Sequence, residues 1–438
     1  MYKRYLEIAE TGIFALGIVF YSGILINRST VIATGLSLDI LSLFNSLIRY
    51  GLWFSTTLLI LYRWRTAWAL AQRNKWVWMV VGLSIFSTHW SANPGYTSQV
   101  AVEVTRMTTF GLYVASRFKL KEQLHIIAAT LGGMALLSVL VALLVPAAGI
   151  DQKAFAGAWT GVFSHKNTLG KYMSLTVTVF AVLVAAQKVH VSRIYRAFSW
   201  GGLYLAYGLV ILSTSQTSLS ISSLAIILLY IYRLYQNQGN KRRLYLEITS
   251  LMVTVATFVI VSSWEVLIES MGRDLTLTGR TEIWGSAILQ LLNKSPWLGF
   301  GRGTFWAPDS TFALTAGAAV SHKYVPPNGH NGYLDLSLEI GLVGLFFFLL
   351  SLVIAYRHAI LRSFVSTSPK DLWPLAFLSW LIAYNFTESS LLDKPNLTWP
   401  LYMIVVLCAM PSGRAIYLRV HYPKLKSNKY KENRSFMG

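Results

Sequence analysis

Apolar residues run along this chain in blocks of about 17 to 25, split by short polar or basic stretches, with no sustained period-two alternation. A block of that length crosses the roughly 30 Å of a bilayer's hydrocarbon as a helix. Helices satisfy their own backbone hydrogen bonds in lipid, and the alternation of a barrel strand is missing. The expected fold is therefore all-α: a polytopic membrane helical bundle. The pattern predicts about twelve spans, at 8–26, 44–62, 76–90, 98–116, 123–145, 168–187, 197–213, 216–232, 245–263, 332–356, 371–386 and 396–411. The stretch 31–43 is apolar but short, and reads as an interfacial or packing element. The expected organisation is a membrane domain over 1–263, a large extracytoplasmic loop with short surface helices over 264–331, the last three spans over 332–411, and a basic cytoplasmic tail over 412–438.

Composition sharpens this. Only 13% of the 438 residues are charged and 54% are hydrophobic, whereas a soluble domain carries about 25% charged residues. The net charge of +20 would suit nucleic-acid binding, but basic inner loops explain it without that partner. With the N-terminus inside, alternating spans put most of the 38 basic residues on the cytoplasmic side, so both termini are expected there. The basic tail should be drawn to anionic phospholipid. A first apolar run near the N-terminus reads as a retained helix rather than a cleaved leader. The single cysteine, Cys408, rules out an intramolecular disulfide or a cysteine metal cluster.

The reactive polar residues gather on the predicted outer side. One turn reads His89-Trp90-Ser91-Ala92-Asn93-Pro94-Gly95-Tyr96, where Pro fixes φ, Gly releases it, and Trp90 suits the interface or a substrate contact. The next ends in Phe163-Ser164-His165-Lys166-Asn167. Lys166 before a helix sits badly with the positive helix N-terminus unless an anion, phosphate for example, lies between them; snorkelling to headgroups is the alternative. In the long loop, Thr278-Gly279-Arg280-Thr281-Glu282 reads as a helix start, capped by Thr278 or Thr281, with Glu282 in the first turn. Arg280 there gains nothing from the dipole but could share an anionic ligand with it. Next come Asn328-Gly329-His330-Asn331-Gly332-Tyr333 and, on the following helix, Asp335 and Glu339 on one face. A histidine at the mouth of that helix, His330, is a residue type suited to proton transfer near neutral pH. Glu388, in Asn385-Phe386-Thr387-Glu388-Ser389, could orient His330 or pair with Arg280. Arg106, inside a span, needs a partner in low dielectric. The scattered histidines have no metal-ligand spacing, so no metal or other cofactor is expected.

In this order, these motifs resemble the superfamily of O-antigen ligases and O-antigen or exopolysaccharide polymerases, membrane glycosyltransferases acting on undecaprenyl-diphosphate-linked glycans. The resemblance covers most of the chain. It implies an arginine-rich, metal-independent periplasmic site in the inner membrane, with His330 and Arg280 in catalytic roles. Asn331, Glu388, Trp90, Lys166, Arg106, Arg302 and Gln216 are the expected substrate contacts. The implied partners are the lipid-linked glycan donor, a glycan or lipid-linked acceptor, and a chain-length regulator. One departure stands out. Where members often carry a cation, this chain reads Leu212-Ser213-Thr214-Ser215-Gln216-Thr217-Ser218. Lys166, Arg106 or Arg302 would have to supply that charge. Polymerisation is the leading expectation, transfer to lipid A–core the second, and small-anion transport the rival from another class.

Overall fold

The computed structural model describes residues 2–25, 31–32, 34–153, 155–187, 191–235, 279–365, 368–392 and 396–410. The predicted span 245–263, the first part of the long loop and the basic tail lie outside them. The described residues form helices α1 (Tyr2–Tyr21), α2 (Leu38–Tyr62), α3 (Trp64–Ala71), α4 (Lys75–Phe86), α5 (Pro94–Arg117), α6 (Leu120–Leu144) and α7 (Lys166–Ala185). These are followed by α8 (Arg193–Leu212), α9 (Gln216–Tyr235), α10 (Arg280–Lys294), α11 (Thr311–Ala318), α12 (Gly332–Val365), α13 (Trp373–Thr387) and α14 (Thr398–Cys408). Apart from short helical turns, the only extended pairing among them is one isolated bridge between Ile150 and Trp159. The other predicted spans overlap these helices.

Three differences have local causes. α2 begins at Leu38, inside the stretch expected to stand apart, because the Ser37 hydroxyl accepts from the Ile40 amide and caps it. Asn93-Pro94-Gly95 is a helix start rather than a free turn. Asn93 accepts from the Tyr96 amide and Pro94 takes the first helical position, where its missing N–H costs nothing. Thr281 does not cap α10; left-handed Gly279 occupies that position, and Thr281 bonds Glu282 instead.

α6, α7 and Gly332–Ser363 of α12 are long and apolar enough to cross a membrane, and the chain is an all-α, multi-pass membrane-associated protein. α7 is buried almost all round and packs against α6, α8, α9 and α13. α14 is buried likewise against α5, α12 and α13. Several ionisable groups within the bundle are paired, as low dielectric requires. Glu10 is 1% exposed between Arg63, at 2.6 Å, and Arg117. Arg106 pairs with Glu103, which also faces Arg49 at 3.6 Å, and its guanidinium lies over the rings of Tyr50 and Trp53.

α12 is broken. Ile340 and Gly341 leave helical geometry, Gly341 at φ 72° and ψ −178°, a conformation reserved for glycine. The segment 296–301 fills the break. The amides of Phe300 and Gly301 donate to the carbonyls of Leu338 and Glu339, and those of Leu342 and Val343 donate to Pro296 and Trp297. From the other side the 87–97 turn holds the same segment: Trp90 donates its indole N–H to the Leu298 carbonyl at 2.9 Å, and the Arg302 amide donates to Ser87 Oγ at 3.0 Å. The loop after α10 is thus stitched into the bundle, which fixes the start of α12.

Candidate active site

The start of α12 is held by one carboxylate. Asp335 accepts from the Trp306 indole at 2.8 Å, from the Gly329 amide at 3.0 Å, and from the Ser389 hydroxyl. Asn331 caps the helix, its Oδ1 accepting from the amides of Tyr333 and Leu334, each at 3.1 Å. Its own amide donates to Ser389 Oγ at 3.1 Å, tying the loop to the end of α13. His330 sits between these anchors at φ 49°, the left-handed region, with its amide on Asn328 Oδ1 at 2.9 Å. That geometry costs a non-glycine residue on the order of 1 kcal/mol or more, and it is over-determined here by the surrounding bonds.

The left-handed turn presents the imidazole to α13's C-terminal end. His330 Nδ1 is 3.0 Å from Glu388 Oε2. An ionised carboxylate only accepts, so Nδ1 carries a proton, and in the neutral ring Nε2 then keeps its lone pair. The ring is partly exposed, and Nε2 has no protein partner among the described residues. The other oxygen of Glu388 lies 3.8 Å from Arg280 Nη2, and Arg280 Nη1 donates to the Thr387 carbonyl at 3.0 Å. Glu388 was expected to serve either His330 or Arg280; it contacts both. Asp335, the other carboxylate beside this loop, is bonded to the loop and to Ser389 instead.

α7 starts beside this group. Asn167 Nδ2 reaches Glu388 Oε1 at 3.5 Å. Lys166 donates to Thr214 Oγ1 at 3.2 Å and lies 4.2 Å from the centre of the Phe155 ring. Thr214 is itself left-handed, at φ 53°, in the turn between α8 and α9 whose next helix begins at exposed Gln216. Lys166 thus stands against the very turn where a cation was expected and is missing. His165 caps α7, its Nδ1 accepting from the Asn167 amide at 3.1 Å. Burial pushes the pKa of His165 down, and adjacent Lys166 lowers it further, while Glu388 and Asp151 oppose the shift.

The remaining expected contacts lie elsewhere or are committed. Arg106 is held by Glu103 under the α2 aromatics, away from these partners. Arg302, 2% exposed, pairs with Glu339, so its charge is matched. Trp90 braces the 296–301 segment. Sequence reasoning assigned no role to Asn167, His165, Thr214 or Phe155; all four flank Lys166, and its conflict with the helix dipole was the signal that could have found them. Among the described residues, no group of three or more His, Cys, Asp or Glu side chains converges as a metal site.

The O-antigen ligase family model matches residues 201–349, about a third of the chain, a stretch that holds Gln216, Arg280, Arg302, His330 and Asn331. The chain is similar to the exopolysaccharide production protein ExoQ of Rhizobium meliloti (strain 1021), at 25% identity over 328 residues, 70% of this chain and 69% of that one. With its helical membrane architecture and its ordered polar motifs, this chain is thus similar to the O-antigen ligase family over residues 201–349 and to an exopolysaccharide production protein over most of its length.

Proposed function

We propose that the protein is an inner-membrane, metal-independent, inverting glycosyltransferase that polymerises undecaprenyl-diphosphate-linked oligosaccharide units at the periplasmic face. About twelve spans with both termini cytoplasmic would put the His330 end of the bundle outside, as the basic loops suggest. The single observation that carries the reading is Glu388 lying between an imidazole with a free Nε2 and the Arg280 guanidinium.

An acceptor hydroxyl attacks the anomeric carbon of the donor and its proton passes to His330 Nε2. The carbon–oxygen bond to the diphosphate breaks, and the lipid diphosphate leaves with the bonding electrons. Glu388 holds the ring and compensates the imidazolium as it forms. Arg280, whose planar fork suits phosphate oxygens, and Lys166 offset the charge gathering on the leaving group. Stabilising such developing charge is usually the largest catalytic contribution. A single displacement inverts the anomeric centre. The relative's description as an exopolysaccharide production protein favours a polysaccharide over a lipid A–core acceptor.

The test is reconstitution. Purified protein in liposomes, given lipid-linked repeat units and a chelator, is expected to build longer chains with inverted linkages. No chain growth, or retained configuration, contradicts the proposal.

A further inference from the structure

A cavity lies against the His330 loop, with Tyr96, Arg302, Trp306, Asn328, Asp335 and Glu339 in its wall and none of Arg280, Lys166 or Glu388. Arg302 is 2% exposed, and only part of its guanidinium is used. Nη1 meets Glu339, while Nε and Nη2 are buried with no hydrogen-bond partner. Buried donors are costly without an acceptor, so this edge of the fork calls for oxygen atoms from outside the chain. Two carboxylates against one guanidinium make the wall net negative, which disfavours a second anion such as the diphosphate. Hydroxyls fit: they accept from Arg302 and can donate to carboxylate oxygens. The rings of Tyr96 and Trp306 add apolar faces of the kind that pack on a sugar's C–H surface. The wall also reaches the reacting group, since Asn328 Oδ1 holds the His330 amide.

We infer that this cavity is the acceptor subsite, which takes a neutral sugar of the growing glycan through hydroxyls on the unused edge of Arg302 and so presents the next hydroxyl toward His330. The inference rests on the transferase reading for its purpose, but its binding chemistry can be measured without turnover.

The probe is a neutral repeat-unit oligosaccharide, free of lipid and diphosphate, cut from the source cell's own polysaccharide. Its binding to the purified full chain in detergent is measured by calorimetry. Arg302→Lys keeps a cation for Glu339 but removes the two-donor edge, and is expected to weaken binding about tenfold or more. Val100→Phe, which fills the cavity from its apolar wall, should do the same and covers the case in which Arg302→Lys fails to fold. Undecaprenyl diphosphate without sugar should bind wild type and both variants alike. Failure of wild type to bind the oligosaccharide, or unchanged binding in the variants, overturns the acceptor subsite. Loss of the transferase reading would show separately, as absent chain growth by wild type.

Discussion

Glu388 contacts Arg280, Asn167 and His330 at once, so the first consequences are those of single side chains. Glu388→Gln keeps the shape but removes the charge that matches an imidazolium, and its amide can turn a donor toward Nδ1. Turnover of lipid-linked units is expected to fall by roughly 10²- to 10⁴-fold, the range that positioned acid–base groups supply. A loss under threefold would show that Glu388 does not orient the base. His165 carries a different prediction. Its pKa is depressed in the folded chain, so the unfolded chain binds the extra proton first and stability is lost as pH falls from about 6.5 through the folded value. His165→Asn keeps a capping acceptor without the titration. The drop in melting temperature between pH 7.5 and 5.5 should be smaller in the variant; an equal drop would place the sensitivity elsewhere. His330, Arg280 and Glu388 were legible as candidates because each is an ionisable residue in a place where a plain bundle needs none. Which carboxylate serves the imidazole was not legible, since Asp335 and Glu388 both lie within a few residues of the loop's contacts and only three-dimensional packing separates them.

At the scale of elements, the broken α12 decides whether the site holds its shape. A Cβ on Gly341 would fall on the Trp297 carbonyl and would have to adopt φ 72°. Gly341→Ala should therefore cost more than about 2 kcal/mol, seen as a clear drop in melting temperature in detergent. Gly12, within α1, has open space around its Cβ position and should tolerate alanine with little change or a slight gain. Equal behaviour of the two variants would mean that the break is not a fixed feature. Helix positions were readable because apolar runs of span length leave few alternatives. The break was not, because 332–356 reads as one span despite Asp335 and Glu339, and the backbone bonds that fill the break come from 296–301, a partner no local pattern could name. Gly299 and Gly301, at φ 69° and 98°, were the available hint.

For the whole molecule, among the described residues, several charges inside the largely apolar bundle sit in ion pairs. Glu10→Gln leaves Arg63 and Arg117 without their shared carboxylate, a change worth about 3–5 kcal/mol in comparable buried pairs. Unaltered thermal stability would mean that solvent or lipid already reaches those guanidinium groups. Glu10 lay unremarked in the first apolar run because its partners sit on α2's C-terminal flank and on α5, distant in sequence. The central claim is that an imidazole and a guanidinium sharing Glu388 carry out glycan transfer. It is tested most directly by chain growth from lipid-linked repeat units in liposomes, comparing wild type with His330→Ala and Arg280→Ala at matched amounts of folded protein. Elongation is expected in wild type and near-complete loss in both variants. Wild-type rates in either variant would contradict it.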